Sequence, residues 1–121
     1  MDGMIDLLTT ATRCWRLARD QHAPTQQRLH AVLATRHGEM LAPVFDSIIR
    51  LLEAVLGRPI AVGDLAPSED ERLLAGLLDG SRTCDANVHC SAGLAAALDG
   101  AVKSMRIMMT MSPPSSAAAP A

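Results

Sequence analysis

The sequence predicts an all-α protein, a compact bundle of four to five helices followed by a disordered C-terminal tail. Three observations carry that expectation. Apolar residues recur at steps of three and four through most of the chain, the spacing of one helix face. Helix punctuation separates these runs, with Gly or Pro after them and a capping serine before one. The one short alternating stretch, residues 58–67, has no second strand to pair with.

The first helix spans residues 4–20, where Met4, Leu7, Leu8, Ala11, Trp15 and Ala18 form a stripe. Arg13, Arg16 and Arg19 line one side of it at three-residue steps; a solvated face is the expected reading, an anion contact the other. His22-Ala23-Pro24 breaks the chain, and Pro24 suits the first position of a second helix ending near His37. Leu29, Val32 and Leu33 face inward there. A break near Gly38 then precedes the central helix, whose start is placed between Glu39 and Ala42.

That central helix, ending at Leu56, is the most apolar element. Leu41, Val44, Phe45, Ile48, Leu52, Val55 and Leu56 make its stripe, and Ile49 and Leu51 widen it. A face this wide needs neighbours on more than one side. Asp46, Arg50 and Glu53 occupy the remaining face, with Asp46 and Arg50 spaced to pair. Gly57 supplies the left-handed stop, and Pro59 blocks a restart. Residues 58–67 read as an extended loop whose Ile60, Val62 and Leu65 pack onto the helices.

Ser68-Glu69-Asp70-Glu71 carries the capping-box pattern, a serine with glutamate three residues on. Its three acids suit the positive end of the helix dipole. Leu73, Leu74, Leu77 and Leu78 face inward, and Gly80 ends the helix. The last helix runs from near Asp85 to Met109 or Met111, with Val88, Ala92, Ala95, Leu98, Val102, Met105 and Met109 as its stripe. Asp99 and Lys103 stand four apart in the better orientation for pairing. The whole fits one domain, residues 1–111, with residues 112–121 (SPPSSAAAPA) as a flexible Ser/Pro/Ala-rich tail.

Composition narrows the function. The chain has 121 residues, 49% of them apolar but only 2% aromatic, so the core is expected to be aliphatic. The net charge of −2 and a last helix whose early part lacks Lys and Arg argue against nucleic acid as a partner. Lys103 is the only lysine among eleven basic residues, a bias that with the alanine richness points to a GC-rich bacterial genome. The acidic start MDGMIDLL does not read as a signal peptide, and no segment reaches the length of a membrane span, so a cytoplasmic location is expected.

Phosphate loops, nucleophile elbows, HExxH and paired-cysteine motifs are all missing from the sequence, so neither an enzyme nor a cofactor is expected. The leading expectation is a small non-enzymatic helical interaction module, with a protein partner or self-association as a homodimer. Its motive is the apolar surplus of the central and last helices. Gly93 and Gly100, seven apart, would let another helix approach closely, and Met105, Met108 and Met109 would supply an adaptable apolar surface. The alternative is a thiol-based metal-binding or redox-sensing protein using Cys84, His89 and Cys90. Thiolate and imidazole are the right ligand types, but five residues separate the cysteines, and a fourth ligand would have to come from Cys14 or a distant histidine.

Overall fold

The structure is a computed structural model that describes residues 2–82 and 92–111, with side chains from 6–82 and 93–111. These residues form five α-helices and no strand. They are α1 (Asp2–Asp20), α2 (Thr25–Ala34), α3 (Ala42–Leu56), α4 (Glu69–Asp79) and α5 (Ala92–Met111), with a 3-10 turn at Glu39–Leu41 leading into α3. The expected helical bundle is therefore present, and the expected tail at residues 112–121 lies outside the described residues.

The chain breaks fall where the punctuation placed them. His22 takes a left-handed conformation (φ 57°) after α1, and Pro24 caps α2 instead of opening it. At the second break the left-handed residue is His37 (φ 59°), while Gly38 stays at φ −108° and caps the 3-10 turn. Gly57 (φ 71°) and Gly80 (φ 85°) end α3 and α4. Ser68 and Glu71 form the capping box at α4: the Glu71 amide donates to Ser68 Oγ at 3.0 Å and the Ser68 amide to Glu71 Oε1 at 2.9 Å.

Packing follows from the wide apolar face of α3, which meets both α2 and α5. α1 packs on α2 and on α4, and α4 on α5. All five helices contribute to one core: Leu7, Leu8, Ala11 and Trp15 from α1, Leu29 and Leu33 from α2, Phe45, Ile48, Ile49 and Leu52 from α3, Leu74, Leu77 and Leu78 from α4, and Leu98, Val102 and Met105 from α5. Few as the aromatics are, Trp15 and Phe45 are both fully buried. Burying side chains of this size removes about 1.5–3 kcal/mol of unfavourable hydration each.

The interior departs from a purely apolar core. Asp46, on the face of α3 expected to be polar and outward, is only 8% exposed. Its Oδ1 accepts from Trp15 Nε1 at 2.7 Å and from Thr25 Oγ1 at 2.8 Å. Arg50 donates through Nε to Asp46 Oδ2 at 3.0 Å and through Nη2 to Thr25 Oγ1 at 2.9 Å. One carboxylate thus ties α1, α2 and α3 together. The expected Asp46–Arg50 pair exists, but it also lies near the indole, with the Arg50 guanidinium 5.8 Å and the Arg19 guanidinium 5.5 Å from the Trp15 ring centre.

Candidate functional site

A cluster of charged residues on α1, α3 and α4, with Arg58, holds the chain between α3 and α4. Arg13 reaches from α1 to Glu71 on α4, with Nε 2.9 Å from Oε2, and also donates to the Asp64 carbonyl at 2.9 Å. Arg16 pairs with Asp20 at 3.0 Å and donates to the Ile60 carbonyl, and Arg19 pairs with Glu53. The arginine row of α1 is therefore partly solvated, with Arg19 exposed, and its guanidinium groups also clamp loop 57–68 and its flanking helices.

The acids of α4 complete that clamp. Glu71 Oε1 also accepts from the Gly63 amide at 2.6 Å. Asp70 takes both terminal nitrogens of Arg58, at 2.6 and 2.8 Å, and the Ala61 amide at 2.7 Å. A side chain at Gly63 would put its Cβ 2.0 Å from the Ala66 carbonyl oxygen, so the loop closes only with glycine there. The Arg58 guanidinium above all, with the Ala61 amide, holds the Asp70 carboxyl below its usual range against the push of burial. Burial pushes Glu71 up, but Arg13 and the Ser68 and Gly63 amides together outweigh it and leave Glu71 lowered too. Paired and hydrogen-bonded as they are, these carboxylates are poor general acids or bases at neutral pH. Helix capping accounts for Glu71; Asp70 is buried for its pairing with Arg58.

Loop 57–68 buries Ile60 completely, as expected, but not its other apolar residues. Val62 is exposed and Leu65 is 100% exposed; the loop is fixed by the buried Ile60 together with hydrogen bonds to its backbone amides.

Cys84, His89 and Cys90 lie outside the described residues. Among the described residues no group of three or more His, Cys, Asp or Glu side chains could hold a metal. Cys14 is half-buried, with its Sγ 3.7 Å from the Arg28 carbonyl oxygen, and burial pushes its thiol pKa up, away from the reactive thiolate.

An open groove of about 470 Å³ lies between α2 and the start of α3, lined by Gln26, Gln27, His30, Glu39, Met40, Ala42 and Pro43. Glu39 Oε2 is buried there without a hydrogen-bond partner among the described residues.

A second feature without a structural use is the outward side of α5. Gly93, Ala97, Gly100, Ser104, Ile107 and Met111 recur at alternating steps of four and three, and all are exposed. Ile107 is 59% and Met111 78% exposed. The half-buried Leu94, Ala101 and Met108 border this stripe on the core side, so apolar residues adjoin it along its length, and Ser104 is its one polar member. Of the residues singled out from the sequence, Gly93 and Gly100 lie on the stripe, and a Cβ added at Gly100 would meet nothing within 4 Å. Met108 and Met109 are half-buried against the core, and Met105 is fully buried within it. Met111 belongs to the methionine-rich end that the sequence already offers as an association patch, whereas Ser104 and Ile107 were missed. Repeating the seven-residue step from Gly100 reaches Ile107, and a four-residue step reaches Ser104.

No helix among the described residues is long and apolar enough to cross a membrane. No protein-family model, curated protein or solved structure matches the chain.

Proposed function

We propose that the protein is a non-enzymatic helical interaction module that associates with itself through the outer side of α5. The observation that carries this reading is the exposed stripe from Gly93 to Met111 at coiled-coil spacing, with its two largest residues at the exposed end of the helix. Other exposed apolar residues, such as Leu17 and Met40, stand on different elements, and scattered singly they are ordinary. Apolar residues gathered on one helix face mark an association site where scattered ones do not. Arg13, Arg19 and Arg58 are already paired within the chain with Glu71, Glu53 and Asp70, which favours an apolar contact over a charged one. The same reading places the module in the cytoplasm, where a free thiol such as Cys14 stays reduced.

Sedimentation equilibrium across a concentration series tests it. The expected result is a mass rising toward twice that of one chain, and Ile107→Glu holding the protein at one chain without loss of helix. A chain that stays monomeric throughout the series overturns the reading.

A further inference from the structure

The stripe on α5 has a graded shape. Its N-terminal half is Gly93, Ala97 and Gly100, all small; its C-terminal half is Ser104, Ile107 and Met111, growing outward. A surface of this kind fits a reversed copy of itself. With a twofold axis crossing the helix at Val102, Gly93 lies opposite Met111 of a second copy, Ala97 opposite Ile107, and Gly100 opposite Ser104. Each large residue then meets a small one, and at Gly100 only the short Ser104 side chain of the second copy stands between the two backbones. A parallel pairing instead stacks Met111 on Met111 and leaves a gap between the two Gly93 positions.

The geometry points to a second copy of this chain, docked antiparallel along α5 with its twofold axis at Val102, as the occupant of this face. This rests on the self-association reading and adds the orientation and register. The flank beside the axis carries Lys103, which would face its own copy; each Lys103 already holds Asp99 at 2.9 Å, so two neutral pairs meet there instead of two bare charges. The stripe is about 27 Å long. Two such helices in contact bury on the order of 1,000 Å² in total, the size of a weak, transient interface, so the dimer exchanges readily and depends on concentration.

Spin labels on the rim read the register. The chain with Cys14, Cys84 and Cys90 changed to serine, its helix content checked, carries one label at Ala96, Lys103 or Thr110, all exposed. In the antiparallel dimer the two labels at 103 are offset along the helix by only about 3 Å, while those at 96 and at 110 are offset by about 18 and 24 Å. The expected pattern is far, near, far. Three short and equal distances overturn the antiparallel register while leaving self-association intact. Three long distances in a dimer overturn both the register and the use of α5. A monomer overturns self-association itself.

A second measurement keeps the native cysteines. Ala97→Ile and Ile107→Ala each weaken dimerisation about tenfold, and the double variant restores it, because the size match is exchanged across the axis. Failure of the double variant to recover overturns the register.

Discussion

Two regions of this molecule handle their surplus in opposite ways. Where α1, α3 and α4 converge on loop 57–68, charge is in excess, and every acid facing the loop is met from within the chain: Glu53 by Arg19 and the Ile60 amide, Asp70 by Arg58, Glu71 by Arg13. On the outer side of α5 apolar surface is in excess, and nothing among the described residues covers it. The difference shows how to search a small helical protein for its working face. Ionisable residues attract attention first, yet here they build the scaffold. The surface left unsatisfied is the plain one, made of Gly, Ala, Ser, Ile and Met.

If the charged side is scaffold, breaking it costs stability before anything else. Asp46→Ala has the largest expected effect, a loss of about 3–4 kcal/mol, because it strands Trp15 Nε1 and the Thr25 hydroxyl in the interior and removes the partner of Arg50. Urea denaturation at a concentration low enough to keep the chain monomeric measures it. Asp46→Asn, which keeps an acceptor for the indole, loses less. A loss under about 1 kcal/mol for Asp46→Ala would place this cluster with the surface pairs.

The loop clamp is the next largest. Glu71→Ala removes the capping-box acceptor together with the partner of the Gly63 amide, for an expected loss of about 2 kcal/mol. Asp70 and Glu71 both have folded-state pKa values below their usual ones, so the unfolded chain binds protons more readily than the folded one as pH falls. Their stabilisation is complete above the unfolded values near 4 and is lost below them, as pH falls toward the folded values. The melting temperature should therefore drop between about pH 5 and pH 3, and the double variant Asp70→Asn/Glu71→Gln should flatten that slope. An unchanged slope would assign acid sensitivity to other carboxylates.

Much of the fold was legible in the sequence, because helix periodicity and helix ends are local signals. The stripe of α1, the capping box at Ser68 and the stops at Gly57 and Gly80 need only residues a few positions apart. What stayed hidden depends on partners distant along the chain. Asp46 reads as a surface acid until Trp15, 31 residues away, brings its indole to it. The arginine row reads as solvated until Glu71, 58 residues beyond Arg13, comes back against α1. Ile60 and Leu65 look equivalent in the loop, and only the distant helices that Ile60 packs against make one buried and leave the other bare. The candidate face was half legible. Gly93 and Gly100 marked it, but the methionines drew the reading toward Met105, which the core takes.

The smallest expected effect sharpens the comparison most. Asp99–Lys103 has the same i,i+4 spacing as Asp46–Arg50 and nearly the same length, 2.9 Å against 3.0 Å. From sequence the two pairs are equivalent. In the structure Asp99 and Lys103 are more than 60% exposed, while Asp46 lies under Trp15. Water competes for the exposed pair and salt screens it, so Asp99→Ala should change monomer stability by about 0.5 kcal/mol or less. The same substitution also removes the countercharge of Lys103 beside the proposed twofold axis, where two lysines would then face each other. Asp99→Ala is therefore expected to weaken dimerisation severalfold at low salt, with the loss fading as salt is added, while leaving urea denaturation of the dilute chain nearly unchanged. A substitution that lowered monomer stability and dimerisation together would tie Asp99 to the scaffold instead, and erase the contrast between the two sides of the molecule.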